Sequence, residues 1–264
     1  MSTTTDMCIV SVVVGAKYKK FANLFCSDYD NKVPVDQQVE IILVVDSIEG
    51  LDVDNYSYVT VQLLPNKAMV GISIDRTFGT GTVRNFDYSL KRFGYQAAID
   101  KGYTNIIFID TDMMIRKWKT DVFDQCKLPG MWAGRGYSSA GFGQGFPATK
   151  ADIMFTPKLR ALKQELKYDP DWLTYRMPFE AVMYITGIEK PVIQEFINKW
   201  ADVSGVTKKL RLPMNKVTHE IGLAASMCSI PIHFKKELLS DVFKHYIMNH
   251  QVLLDIHSER LNDK

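Results

Sequence analysis

Asp110 and Asp112 stand one residue apart at the end of the apolar run Asn105-Ile106-Ile107-Phe108-Ile109, and no other pair in the chain is better placed to do chemistry. The run is short and rich in β-branched and aromatic side chains, which predicts a buried strand of a parallel sheet. A buried carboxylate is costly unless it is paired or bound to a cation. Both aspartates are therefore expected at the strand's open carboxyl end, the edge where open α/β sheets bind ligands. Two hard oxygen ligands there suit Mn²⁺ or Mg²⁺, and such an ion would hold a diphosphate. The plainer alternative is a strand followed by a polar turn, since Asp-x-Asp alone is a common pair.

The elements that must position this pair are legible on both sides of it. From Arg84 to Lys101, Phe86, Leu90, Phe93 and Ala97 recur at helical spacing, which predicts an amphipathic helix packed on a sheet. Arg84, Tyr88, Lys91 and Tyr95 form a second stripe beside the apolar one, and Gly102 is placed to end the helix. Upstream, Cys8 to Val14 reads as a first buried strand, Tyr18 to about Asp28 as a helix, Val39 to Val45 as a second strand and Tyr58 to Leu64 as a third. This β-α-β-β-α-β order predicts an α/β fold with a mostly parallel, doubly wound sheet. Pro191 to Trp200 reads as a core-facing helix with proline in its first turn. Gly130 to Pro147 is glycine-rich and marks turning backbone.

Helix, glycine turn, apolar strand, Asp-x-Asp and the second apolar stretch Met113-Met114-Ile115 together resemble the core of GT-A nucleotide-sugar glycosyltransferases. The likeness covers about residues 8–115 well and the rest in outline. It implies a Rossmann-like GT-A fold in a single domain. About 1–155 would be the nucleotide-sugar and metal half, and about 156–264 a helical acceptor half. It also implies that Asp110 and Asp112 hold Mn²⁺ or Mg²⁺ against the diphosphate of a donor, a UDP-sugar being favoured. The positions that resemble the family's base and ribose site are Val14, Gly15, Ala16, Tyr18 and Asp46. Arg84 and Lys91 are the cations that would touch the donor. Val242-Phe243-Lys244-His245-Tyr246 resembles the strand that delivers a third metal ligand in retaining, glycogenin-like members, so His245 is the expected ligand and His233 the runner-up. A helical reading of Leu238 to Leu254 would place His245 mid-helix and weaken it. Glu180 and Glu220 are the carboxylates expected to orient an acceptor hydroxyl or take its proton; a retaining reaction would need no such base.

Composition narrows the alternatives. At 264 residues the chain can bury a large core, and no apolar run approaches the roughly 20 residues of a membrane span. The first residues lack the pattern of a signal peptide. The four cysteines are scattered without a Cys-x-x-Cys pair and read as reduced thiols, so a cytoplasmic enzyme is expected, in host cytoplasm if the chain is viral. Gly79-Thr80-Gly81 is not a dinucleotide fingerprint, because the third glycine is missing. His219-Glu220 lacks the second histidine of a zinc protease.

A net charge of +2 does not announce a nucleic-acid binder. Even so, Arg116-Lys117-Trp118-Lys119 and Lys208-Lys209-Leu210-Arg211 would suit a polyanionic acceptor, such as a hydroxymethylated DNA base of viral type. Trp172, Tyr175, Phe179 and Tyr184 offer stacking surface for a flipped base. A glycan, protein or lipid-linked acceptor stands beside that reading. Two other functions also stay open: a sugar-nucleotide nucleotidyltransferase, and a non-catalytic binding module.

Overall fold

The computed structural model describes residues 6–65, 88–134, 161–169, 178, 181–210 and 217–245. Strands β1 (Met7–Val13), β2 (Glu40–Val45), β3 (Val59–Leu63) and β4 (Asn105–Ile109) alternate with helices α1 (Ala16–Lys32) and α2 (Arg92–Asp100). A short strand β5 (Met113–Ile115) follows, then α3 (Thr120–Asp124), β6 (Gly130–Ala133) and β7 (Val182–Thr186). Helices α4 (Lys190–Lys209) and α5 (Val217–Met227) and strands β8 (Ile232–Phe234) and β9 (Phe243–His245) complete the described chain. The main sheet has seven strands in the order β3-β2-β1-β4-β7-β6-β8. Only β7 runs antiparallel to its neighbours β4 and β6. The molecule is thus an α/β fold with a mostly parallel sheet, as the strand–helix alternation predicts.

Alternation along the strands builds two cores. Ile9, Val13, Ile41, Leu43, Val45, Ile107 and Ile109 point to one face, where Phe25, Cys26 and Tyr29 of α1 cover them. Cys8, Val10, Val12, Ile42, Val44, Ile106 and Phe108 point to the other, beneath α2, α4 and α5. This is the two-sided burial expected of parallel strands covered by crossover helices. Each large side chain buried in this way contributes roughly 1.5–3 kcal/mol. On α4, Ile193, Phe196, Ile197, Trp200 and Val203 form the buried stripe, and Pro191 sits at the helix start. Gly102, with φ 96°, takes the left-handed position just beyond α2 and releases the chain into β4.

The helix ahead of β4 differs from its expected form. Residues Tyr88–Lys91 make a tighter 3₁₀ turn, and α2 begins only at Arg92; Arg84 and Phe86 lie outside the described residues. The 3₁₀ turn changes the angular step between side chains, so the expected stripe of Lys91 and Tyr95 is not an outer edge. Tyr95 is fully buried, stacked on Phe108 at 5.5 Å and edge-on to Phe196. Around His245, the strand reading holds. A single π-helical turn, Leu238–Val242, gives way to β9, which pairs antiparallel with β5 in a separate two-stranded sheet.

Among the described residues, no helix is long and apolar enough to cross a membrane. All four cysteines are free. Burial pushes the Cys126 and Cys228 thiols up to about 11, so neither is a ready nucleophile.

Candidate functional site

The site is built where β4 ends. The Asp110 N–H donates to Ala181 O at 2.9 Å, prolonging the β4–β7 ladder by one step. The Met113 N–H then donates to Asp110 O at 3.1 Å, closing a tight turn over Asp110-Thr111-Asp112-Met113. Thr111 is turned inward, only 6% exposed, while both aspartates on either side of it are half-exposed at the sheet's carboxyl edge. The apolar strand and the turn thus deliver two carboxylates to the solvent side of a fixed scaffold.

Lys91 meets that pair from the 3₁₀ turn. Its Nζ lies 2.6 Å from Oδ1 of Asp110, and the lysine is only 5% exposed. The ammonium also stands 5.8 Å from the centroid of the Phe108 ring, within cation–π reach. Gly94 lets α2 come this close. A Cβ there would meet Val10 Cγ2 at 3.2 Å and Phe108 Cε2 at 3.4 Å, so a larger residue would hold the helix off the sheet. Beside this pair, burial and then the charge of Asp110 push the Tyr95 hydroxyl well above the ordinary tyrosine range.

The β5–β9 sheet carries His245 to the same edge. Its register pairs Met113 with His245, Met114 with Lys244 and Ile115 with Phe243. The backbone of His245 therefore lies opposite the residue that follows Asp112; its side chain lies outside the described part. The small sheet is anchored on α1 and on the π turn. Asp28 Oδ2 accepts from Ile115 N–H at 2.8 Å, the Lys32 ammonium donates to Ile115 O at 2.7 Å, and Arg116 N–H donates to Val242 O at 2.8 Å. His233 does not join the group. It lies on edge strand β8, three strands from β4 or about 14 Å at ordinary strand spacing, and its ring packs on Trp132 at 4.6 Å.

At the ends of β1 and β2, Asp46 is already engaged. Its Oδ2 accepts from Gly15 N–H at 3.0 Å and its Oδ1 from Ser47 N–H at 2.9 Å, while Lys19 Nζ lies 3.2 Å from Oδ1. Asp46 thus clamps the turn into α1, in which Gly15 has φ 88°. Val14 is buried, and Gly15, Ala16 and Tyr18 line the start of α1. Lys19 was not legible as a site residue in the sequence. Its one signal was a cation on the first turn after Gly15, inside an otherwise apolar helix face.

Glu180 and Arg84, with Trp172, Tyr175, Phe179 and Arg211, lie outside the described residues. Glu220 is 9% exposed in the α4–α5 interface, where Oε1 accepts from the Thr207 hydroxyl at 2.5 Å and Oε2 from Trp200 Nε1 at 3.3 Å. Those bonds give it a packing role between helices. Neither Tyr184, expected to offer stacking surface, nor Trp118 of the first basic run is exposed. Tyr184 is buried in β7 edge-on to Phe123, and Trp118 is buried against Tyr29, Phe123 and Phe243. Of the basic runs, Arg116 and Lys117 are exposed, Lys119 pairs with Asp241 at 2.7 Å and Lys209 with Glu165 at 2.6 Å.

Among the described residues, no three His, Cys, Asp or Glu side chains are grouped to hold a metal. The edge does offer two half-exposed carboxylates, Asp110 already holding the Lys91 ammonium, and carboxylate oxygens are the ligand type that suits Mn²⁺ or Mg²⁺. Comparison with known proteins finds no family model and no curated protein that matches this chain.

Proposed function

We propose that the chain is a metal-dependent glycosyltransferase of the GT-A type, moving a sugar from a nucleotide-diphosphate sugar to an acceptor hydroxyl. The observation that carries this reading is the pairing of Met113 with His245. It draws a histidine distant in sequence to the end of the Asp-x-Asp turn, as the resemblance to glycogenin-like enzymes calls for. Asp110, Asp112 and His245 are the residues that would hold Mn²⁺ or Mg²⁺. When bound, the ion neutralises charge on the departing diphosphate.

The chain's own residues account for the rest. The N-terminus of α1, with no acidic residue in its first turn, opens at the sheet's carboxyl edge and favours an anionic donor. Asp46 and Lys19 fix the turn on which the nucleotide rests. Lys91 adds a positive charge beside the diphosphate and steadies it as the sugar–oxygen bond breaks. The acceptor oxygen forms the new bond to the anomeric carbon, and in a retaining course the leaving phosphate takes the acceptor's proton. That course suits a site in which Glu220 is committed to the helix interface.

The nucleotidyltransferase alternative is less well supported. Only Val14 and Gly15 separate β1 from α1, which leaves no room for a glycine-rich, arginine-bearing loop. Exposed Arg116 and Lys117, just beyond β5, suit an acceptor that carries phosphates, and hydroxymethylated DNA is the acceptor proposed. Calorimetric titration with UDP, with and without Mn²⁺, tests the donor reading. Metal-dependent binding supports it, and a preference for a nucleoside triphosphate overturns it.

A further inference from the structure

The β5–β9 sheet has only two strands of three residues each, and a pair that small is marginal on its own. In an antiparallel ladder, successive residues turn their N–H and C=O alternately toward the partner strand and away from it. Arg116 N–H reaches across to Val242 O at 2.8 Å, so its neighbour Ile115 turns both backbone groups to the opposite edge. There α1 supplies what a third strand would. Asp28 Oδ2 accepts from Ile115 N–H at 2.8 Å, and the Lys32 ammonium donates to Ile115 O at 2.7 Å. One helical turn apart, the two side chains also pair with each other, Lys32 Nζ lying 2.5 Å from Asp28 Oδ1. The three contacts close a ring through a single residue of β5, with the Asp28 carboxylate mostly buried and Ile115 fully so.

We infer that Asp28 and Lys32 stand in for a strand at the open edge of the β5–β9 sheet, and so are positioning residues for the Asp110–Met113 turn and for His245. The inference rests on the glycosyltransferase reading and adds to it two residues that act through β5. Ile115 stands two residues, roughly 7 Å of strand, beyond Met113. Met113 closes the aspartate turn and pairs with His245. A grip on Ile115 therefore holds both the carboxylate turn and the histidine backbone against α1. Charge strengthens the grip, because hydrogen bonds to ionised groups are stronger than neutral ones. Loss of either side chain leaves one Ile115 group without its partner and lets the small sheet open locally. The helix itself stays in place, held to the large sheet by Phe25, Cys26 and Tyr29.

The test has two measurements on Asp28→Ala, Lys32→Met and Lys32→Arg, the last of which keeps a cationic donor. Amide hydrogen exchange is read by mass spectrometry on the peptides that contain β5, β9 and, as an internal reference, β1. Mn²⁺ binding in the presence of UDP is read from the free-ion electron paramagnetic resonance signal. Lys32 is partly exposed, so Lys32→Met carries the test should Asp28→Ala fail to fold. Asp28→Ala and Lys32→Met each speed exchange in β5 and β9 at least about tenfold and leave β1 unchanged. Both also weaken Mn²⁺ binding at least about tenfold, the scale on which loss of a group behind the ligands acts. Lys32→Arg keeps the wild-type values. If exchange in β5 and β9 does not change, or β1 speeds up with them, the strand mimicry is overturned. If exchange rises in β5 and β9 alone but Mn²⁺ binding is unchanged, the pair only braces the fold, and positioning is overturned while the glycosyltransferase reading stands. If the wild type binds no Mn²⁺ even with UDP, that reading falls and the positioning role with it.

Discussion

His245 pairs with Met113 across the β5–β9 ladder, so the last described residue of the chain meets the one that follows Asp112. Two segments far apart in sequence are thereby brought to one edge of the sheet, the edge where β4 releases its two aspartates.

Asp112→Asn should cut sugar transfer by at least about a hundredfold, the scale on which one lost electrostatic contact lowers turnover. The fold should survive, because Asp112 is half-exposed beyond the end of β4. Thermal melting and transfer rate measured on the same preparation check both halves; near-normal transfer in Mn²⁺ would remove Asp112 from the site.

His245→Ala should raise the Mn²⁺ concentration needed for half-maximal activity, at least about tenfold. A Mn²⁺ titration of activity in both proteins decides whether His245 ligates, and an unchanged metal requirement in the variant would remove it from the site.

Glu220→Ala should act on stability rather than chemistry. It leaves Thr207 and the Trp200 indole without their carboxylate partner in the α4–α5 interface. A loss of roughly 1–3 kcal/mol is expected for such a buried network. Denaturant unfolding measures it, and transfer by the remaining folded enzyme should be close to wild type. A stable variant that has lost transfer would return Glu220 to the chemistry.

Much of this arrangement is legible in the sequence because it is local. The apolar runs of β1, β2 and β4 are continuous where both faces are covered, and the buried stripe of α4 keeps helical spacing. Asp110 and Asp112 announce themselves by following such a run directly. What escapes is set by geometry that no short window contains. The 3₁₀ turn at Tyr88–Lys91 shifts the phase of the helix, so Lys91 and Tyr95 read as an outer stripe although both are buried. The Lys19–Asp46 clamp joins α1 to the end of β2. Trp118 hides in a run of cations, yet its ring anchors the small sheet to the core by packing on Phe243.

If the acceptor is DNA, Arg116→Ala with Lys117→Ala should flatten the salt dependence of duplex binding. Each lost phosphate contact should change the logarithmic slope by roughly 0.9. Donor binding should be spared. Fluorescence anisotropy on hydroxymethylated and plain duplexes at rising salt reads this directly, and no binding to either at low salt would exclude a nucleic-acid acceptor.

A metal-dependent site for a nucleotide-diphosphate sugar at Asp110, Asp112 and His245, as proposed, should act on the donor even without an acceptor. Its most direct test is the release of UDP from a panel of UDP-sugars without acceptor, measured with Mn²⁺ and with chelator, in the wild type and Asp112→Asn. The wild type should release UDP slowly, only with Mn²⁺, and Asp112→Asn should lose that release. Release that is equal with Mn²⁺ and with chelator, or that persists in Asp112→Asn, would contradict it.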